Sequence, residues 1–164
     1  MKNNKGFTLV ELLVVIIIIG IIAGISVYST KLISSSSAEK CATEINAFIS
    51  KGRVGNLSQG VGTYISFYIQ DSKVIGEYYV DGSLVSTEQL SDKRVNGVSY
   101  MINETVSALG DSSNPLKLSF NSSTGALNPQ TAAGSDYCKE IRVSGGGRVY
   151  TIKIVPLTGH HSID

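Results

Sequence analysis

The chain of 164 residues offers little of what enzymes and nucleic-acid binders usually display. Fourteen Lys and Arg against 13 Asp and Glu leave a formal charge of +1. With no run of either sign, the balance advertises neither nucleic acid nor anionic lipid as a partner. The two histidines, His160 and His161, are adjacent, so their side chains diverge. Only Asp164 lies near enough in sequence to add a third ligand, so a metal site has no support. The two cysteines, Cys41 and Cys138, have no CxxC neighbour, which removes zinc-ribbon and thioredoxin-type chemistry. Gly145-Gly146-Gly147 lacks the context of a phosphate-cradling loop, and no Ser, His and Asp share a hydrolase signature. The expectation is a non-enzyme that needs no cofactor.

One long apolar stretch stands against these absences. From Phe7 to Tyr28 there are 22 residues, of which Glu11 alone is charged at neutral pH. As a helix this block spans about 33 Å, matching a hydrocarbon core of about 30 Å. A carboxylate at mid-bilayer costs about 2.5–3.5 kcal/mol. Glu11 sits about 6 Å along the helix from Phe7, so its cost is smaller, but it still calls for a partner. Two readings stay open: a Glu that reaches interfacial water, and a Glu whose partner arrives during assembly.

Lys5-Gly6-Phe7-Thr8-Leu9-Val10-Glu11, a short basic leader running into a long apolar helix, resembles the class III signal of type IV pilins and pseudopilins. The resemblance implies cleavage between Gly6 and Phe7 by a prepilin peptidase, followed by N-methylation of Phe7. It also implies that Glu11 neutralises the freed N-terminal amine of a neighbouring subunit, a pair that two ions removed from water would need. An ordinary secretory signal competes for the stretch, with Ala23-Gly24-Ile25-Ser26 as the small residues downstream. Such h-regions run to about 7–15 residues and rarely carry a Glu, and the Gly-Phe junction has no role in them. Lys2 and Lys5 before the block leave the N-terminus cytoplasmic and the remainder exported.

Gly20 and Gly24 form a G-x-x-x-G spacing, either a close-approach site for helices or ordinary glycine usage in a membrane helix. Many relatives place a proline within this segment, whereas this chain has none before Pro115. The glycines are then the weaker point of the helix. Ser34-Ser35-Ser36-Ser37 reads as the polar crossing out of the membrane, within or beside a continuing helix. Ala38, Cys41, Ala42, Ile45, Phe48 and Ile49 then recur at spacings of three and four, an amphipathic helix with one face for a sheet. Gly52 and Gly55 loosen that pattern, and Gly60 marks its end.

Beyond Gly60 the chain reads as β. Tyr64–Gln70 and Val74–Val80 predict a hairpin, and Asp81-Gly82 a turn. Val98–Ile102 predicts a short strand, and residues 103–109 a short helix. Leu116–Phe120 and Ala126-Leu127 form a hairpin-like unit, and residues 140–143 and 149–155 flank a Gly-rich turn. The Leu118-Ser119-Phe120 segment with Gly125 and this terminal hairpin are also similar to the H-type minor pseudopilins. Tyr64, Tyr68, Tyr78 and Tyr79 fall in predicted strands, where sheet packing is the expectation and a stacking or sugar-binding surface the alternative. Cys41 and Cys138, both exported, allow either a bridge or two buried thiols. A bridge would close a loop worth roughly 4–5 kcal/mol in the chain-entropy account. Pilins that bridge two cysteines near the C-terminus differ from this chain, whose Cys41 is on the helix.

The expected fold is α+β: a long N-terminal helix, half membrane-spanning and half amphipathic, packed on an antiparallel β-sheet, as in type IV pilins. Residues 1–6 would be the leader, 7–28 the membrane or filament-core helix, 29–60 its amphipathic half and 61–164 an exported head. The expected function is a structural subunit of a type IV pilus or similar filament. The alternatives are a pseudopilin of a secretion or DNA-uptake machine, or a membrane-anchored ligand-binding protein that never polymerises. Partners would be other pilins, the prepilin peptidase, the membrane and the assembly machinery. The chain would be single-pass in the cell membrane before assembly and in a surface pilus or extracytoplasmic pseudopilus afterwards.

Overall fold

In the computed structural model, residues 8–59, 62–91, 95, 97–130 and 136–164 are described, with the backbone alone at 25–28. A single helix, α1, runs from Leu9 to Gln59 over 51 residues, about 77 Å at 1.5 Å per residue. It passes unbroken through Ser34–Ser37, and with no proline before Pro115 nothing removes a rung of its hydrogen-bond ladder. Its expected end, Gly60, lies outside the described residues. The two halves of α1 differ in surroundings. The large apolar side chains from Leu9 to Ile22 are all exposed, whereas Ser35, Ala38, Cys41, Ala42, Ile45, Phe48, Ile49 and Asn56 are buried.

The buried stripe is covered by two antiparallel sheets. In the first, β1 (Thr63–Gln70), β2 (Lys73–Val80), β3 (Ser83–Gln89) and β6 (Leu116–Ser119) lie in the order β3-β2-β1-β6. In the second, β4 (Gly97–Ile102), β5 (Thr105–Ala108), β7 (Cys138–Gly145), β8 (Arg148–Val155) and β9 (His160–Ile163) lie in the order β5-β4-β7-β8-β9. α1 packs on β1 and β2 of one sheet and on β7, β8 and β9 of the other. Ile45, Phe48 and Ile49 thus share one core with Ile65, Phe67, Leu118, Ile141 and Ile152, an arrangement that buries a face of every layer. This is an α+β architecture matching the type IV pilin fold.

The structure corrects the sequence reading in several places. The single expected sheet is two, because β6 returns to pair with β1 while β4 pairs with β7. The short helix expected over 103–109 is a tight turn followed by β5. Asn103 takes φ 54, reversing the chain, and Thr105-Val106 pairs back on Met101-Ile102. β3 and β9 escaped prediction. Both are outer strands; β3 is exposed along almost its whole length, and β9 is only four residues long (His160–Ile163), too short for its alternation to register as a strand. Gly52 and Gly55 do not loosen the helix. A Cβ at Gly52 would stand 2.7 Å from Ile65 Cγ2, and one at Gly55 would run into the Tyr78 hydroxyl. The missing side chains let β1 and β2 approach α1.

Candidate functional site

The first turn of α1 carries the one carboxylate of the apolar half. Glu11 accepts hydrogen bonds at 3.4 Å from both the backbone N–H and the hydroxyl of Thr8, and its own N–H donates to Thr8 Oγ1 at 3.2 Å. This reciprocal exchange is a capping box, in which the Thr and Glu side chains satisfy helix-start donors that have no partner within the helix. Glu11 is also well placed toward the positive end of the helix dipole. Sequence reasoning missed this local partner, although the signal was legible as Thr8-x-x-Glu11. Gly6 and Phe7, the expected cleavage and methylation residues, lie outside the described residues.

From Leu9 to Gly24 the chain's own head covers no described residue of α1. The helix is long and apolar enough to cross a membrane. A side chain placed at Gly20 or Gly24 would meet nothing within 4 Å, so the G-x-x-x-G surface is open. Residues 1–27, which take in this start and most of the bare half, match the family model of the prokaryotic N-terminal methylation motif.

The chain carries the type IV pilin and pseudopilin signature.

Comparison with curated proteins and with solved structures finds no match. The pilin motif implies pilin polymers and prepilin-peptidase processing in general. The family is structural rather than enzymatic. The motif and the apolar helix together fit membrane anchoring before assembly.

The head of this pilin-like chain is held to α1 by polar contacts that composition did not reveal. At the β7–β8 turn, Gly145 is followed by Gly146 (φ 60) and Gly147 (φ 83), and the first two lie directly on the helix. A Cβ at Gly145 would meet the Ser34 carbonyl and lie 2.7 Å from Ala38 Cβ; one at Gly146 would meet the Lys31 carbonyl. The Gly146 N–H donates to Ser34 Oγ at 3.1 Å, and the Ser35 and Tyr150 hydroxyls are 3.3 Å apart. The serine run is therefore a small-residue saddle for the glycine turn. Further up, Arg53 donates to the carbonyls of Gly125 (3.2 Å) and Thr158 (2.9 Å), clamping two loops. Buried Asn56 donates to the Phe120 carbonyl.

His161, considered in the sequence only as an unsupported metal ligand, joins β9 to the helix. Its Nε2 lies 2.7 Å from Ser50 Oγ and its Nδ1 3.0 Å from the Gly159 carbonyl. A carbonyl only accepts, so Nδ1 carries a proton toward Gly159, while the Ser50 hydroxyl lies between Nε2 and the Asn46 carbonyl at 3.2 Å. Among the described residues, no three His, Cys, Asp or Glu side chains are grouped to hold a metal ion. Cys41 and Cys138 share the core as fully buried thiols rather than as a bridge. Burial pushes the Cys138 thiol up to about 12, against a smaller lowering by a hydrogen bond with the Glu140 backbone.

Three of the four tyrosines singled out in the sequence lie on the outer face of the first sheet, and Tyr78 faces the core. Glu77 accepts from Ser66 (3.3 Å), Tyr68 (2.9 Å) and Tyr79 (2.7 Å). That bond is the main reason the Tyr79 phenol is pushed up to about 12; Tyr68 is raised by burial first and Glu77 second. Tyr64 on β1 stacks on Tyr79 of β2 at 4.5 Å, with the Lys117 ammonium of β6 5.8 Å from its centroid. With both neighbours of Tyr64 in place, these rings form a cross-strand ladder rather than an open stacking platform.

Proposed function

We propose that this chain is a structural subunit that polymerises through the bare half of α1. The supporting observation is the division of one continuous helix. Its second half is buried by the chain's own two sheets, and its first half exposes an apolar side chain at nearly every position. Such a surface is stable in lipid or against copies of itself, and not in water. In this reading residues 1–6 are removed at the Gly6–Phe7 bond and Phe7 is N-methylated. Residues 7–28 cross the membrane and then pack in the filament, residues 29–60 continue as the helix of the head, and residues 61–164 form the exported head. On assembly Glu11 exchanges the Thr8 capping box for the amine of a neighbouring Phe7, which needs it more in a water-free core. Cytoplasmic Lys2 and Lys5 orient the chain before cleavage.

The deciding experiment measures the intact mass of the chain in surface-sheared material and in membranes. A mass lacking residues 1–6 and carrying one added methyl, abundant in the sheared fraction, is the expected result. The same mass confined to membranes would redirect the reading to a pseudopilin. An unprocessed mass would leave a membrane-anchored domain that does not polymerise.

A further inference from the structure

We propose that the tip of the β7–β8 hairpin is a foot on the membrane, with Lys31 and Arg148 engaging anionic phospholipid headgroups while the subunit is anchored. The inference rests on the membrane-anchored state in the reading above. The apolar block ends near Tyr28, and Lys31 follows three residues later, about 4.5 Å further along the axis. At that height Gly146 is seated against the Lys31 carbonyl, so closely that a Cβ there would fall 2.7 Å from the Ser35 amide nitrogen. The hairpin tip therefore meets α1 at the level where the helix leaves the hydrocarbon and enters the headgroup layer. No stalk separates head from bilayer.

The tip is fixed and cationic. Gly146 is bonded to Ser34 Oγ, and Tyr150, two residues past Arg148, is within hydrogen-bond distance of Ser35. Arg148 thus starts from a strand end that cannot swing away from the helix. Lys31 and Arg148 are both exposed, and neither enters an ion pair among the described residues. Lys51, Arg142 and Lys153 on the same molecule are each matched with a carboxylate. Glu39, which accepts from the Tyr150 hydroxyl, is eight residues beyond Lys31, about 12 Å further from the block. Two unmatched cations at headgroup height, continuous with an apolar helix, are complementary to an anionic lipid surface. The overall charge balance hides this, because the fold brings together residues 117 positions apart.

The chain has no tryptophan, so single tryptophans introduced into the full-length protein are clean depth probes. Val149→Trp reports the tip, Leu157→Trp a highly exposed turn elsewhere on the head, and Ile18→Trp the anchor. Each is placed in vesicles of phosphatidylcholine, with or without phosphatidylglycerol, that carry either a headgroup nitroxide or brominated acyl chains. The expected result is headgroup quenching of Val149→Trp that strengthens with phosphatidylglycerol, and none of Leu157→Trp. Lys31→Glu and Arg148→Glu should each weaken the phosphatidylglycerol-dependent part about fivefold. If acyl bromines quench Ile18→Trp while the nitroxide spares Val149→Trp, the foot is overturned and the anchor stands. Quenching that ignores lipid charge or both charge reversals overturns the headgroup contact. If Ile18→Trp is not quenched, the anchored state itself falls, and the foot with it.

Discussion

At the residue scale, Glu11 has two suitors. In the single chain it closes a capping box with Thr8, and in a filament it would meet an amine. These roles separate by mutation. Thr8→Ala is expected to cost about 1 kcal/mol at the helix start and to leave incorporation into filaments intact. Glu11→Ala is expected to insert and to be cleaved, yet to enter filaments poorly. Filament yield by shearing, with processing followed by mass, checks both; normal incorporation of Glu11→Ala would remove the pairing. The Glu77 cluster makes a prediction about pH. The folded Tyr79 phenol ionises near 12, above the ordinary value of 10.0, so its protonated form favours the fold. That contribution is complete below pH 10 and is lost as pH rises toward 12. Ultraviolet titration of the phenols should show Tyr79 ionising late, and Glu77→Gln should bring it back toward 10.

At the element scale, the glycine turn and the serine saddle act as one joint. Gly145→Val should push the hairpin off Ser34 and Ala38, at a cost of about 1–3 kcal/mol, visible as a lower melting temperature in detergent micelles. Ser36→Val, on the exposed side of the same helix turn, should change it little. Arg53→Met keeps the aliphatic stem and loses two charge-assisted bonds to carbonyls, a loss of about 1.5–3 kcal/mol per bond at most and less where solvent reaches. Hydrogen exchange confined to the loops around Gly125 and Thr158 would register it. What was legible in the sequence follows from periodicity. Ala38, Cys41, Ala42, Ile45, Phe48 and Ile49 announced a helical face and form one, and Tyr64–Gln70 with Val74–Val80 announced a hairpin and pair as one. What was not legible depended on partners distant in sequence. β3 has no buried face to pattern it, and the half-buried face of β9 amounts to His161 and Ile163 alone. The serine run read only as a polar crossing out of the membrane, and nothing in it foretold that a glycine turn more than a hundred residues away would be seated on it. Arg53 gave no sign, because a side chain that bonds two backbone carbonyls leaves no trace in residue type. The Thr8–Glu11 box was readable and overlooked, because the family resemblance drew the carboxylate toward another molecule.

At the scale of the whole molecule, the two thiols report on the integrity of the head. Cys41 and Cys138 have no exposed surface, so alkylation should proceed only as fast as the head opens. After denaturation without reductant, two added groups per chain identify thiols, and none identifies the bridge that an exported location, as proposed, would also allow. The continuous helix has a further, mechanical consequence. Pulling along α1 loads two unlike springs in series. One is a bare segment with Gly20 and Gly24, held only by what surrounds it; the other is a segment clamped between two sheets. Under tension the bare segment yields first, stretching from about 1.5 Å toward 3.3 Å or more per residue. In the proposed filament, a strand of such subunits would lengthen while its heads stay folded, and would absorb a sudden tug instead of snapping.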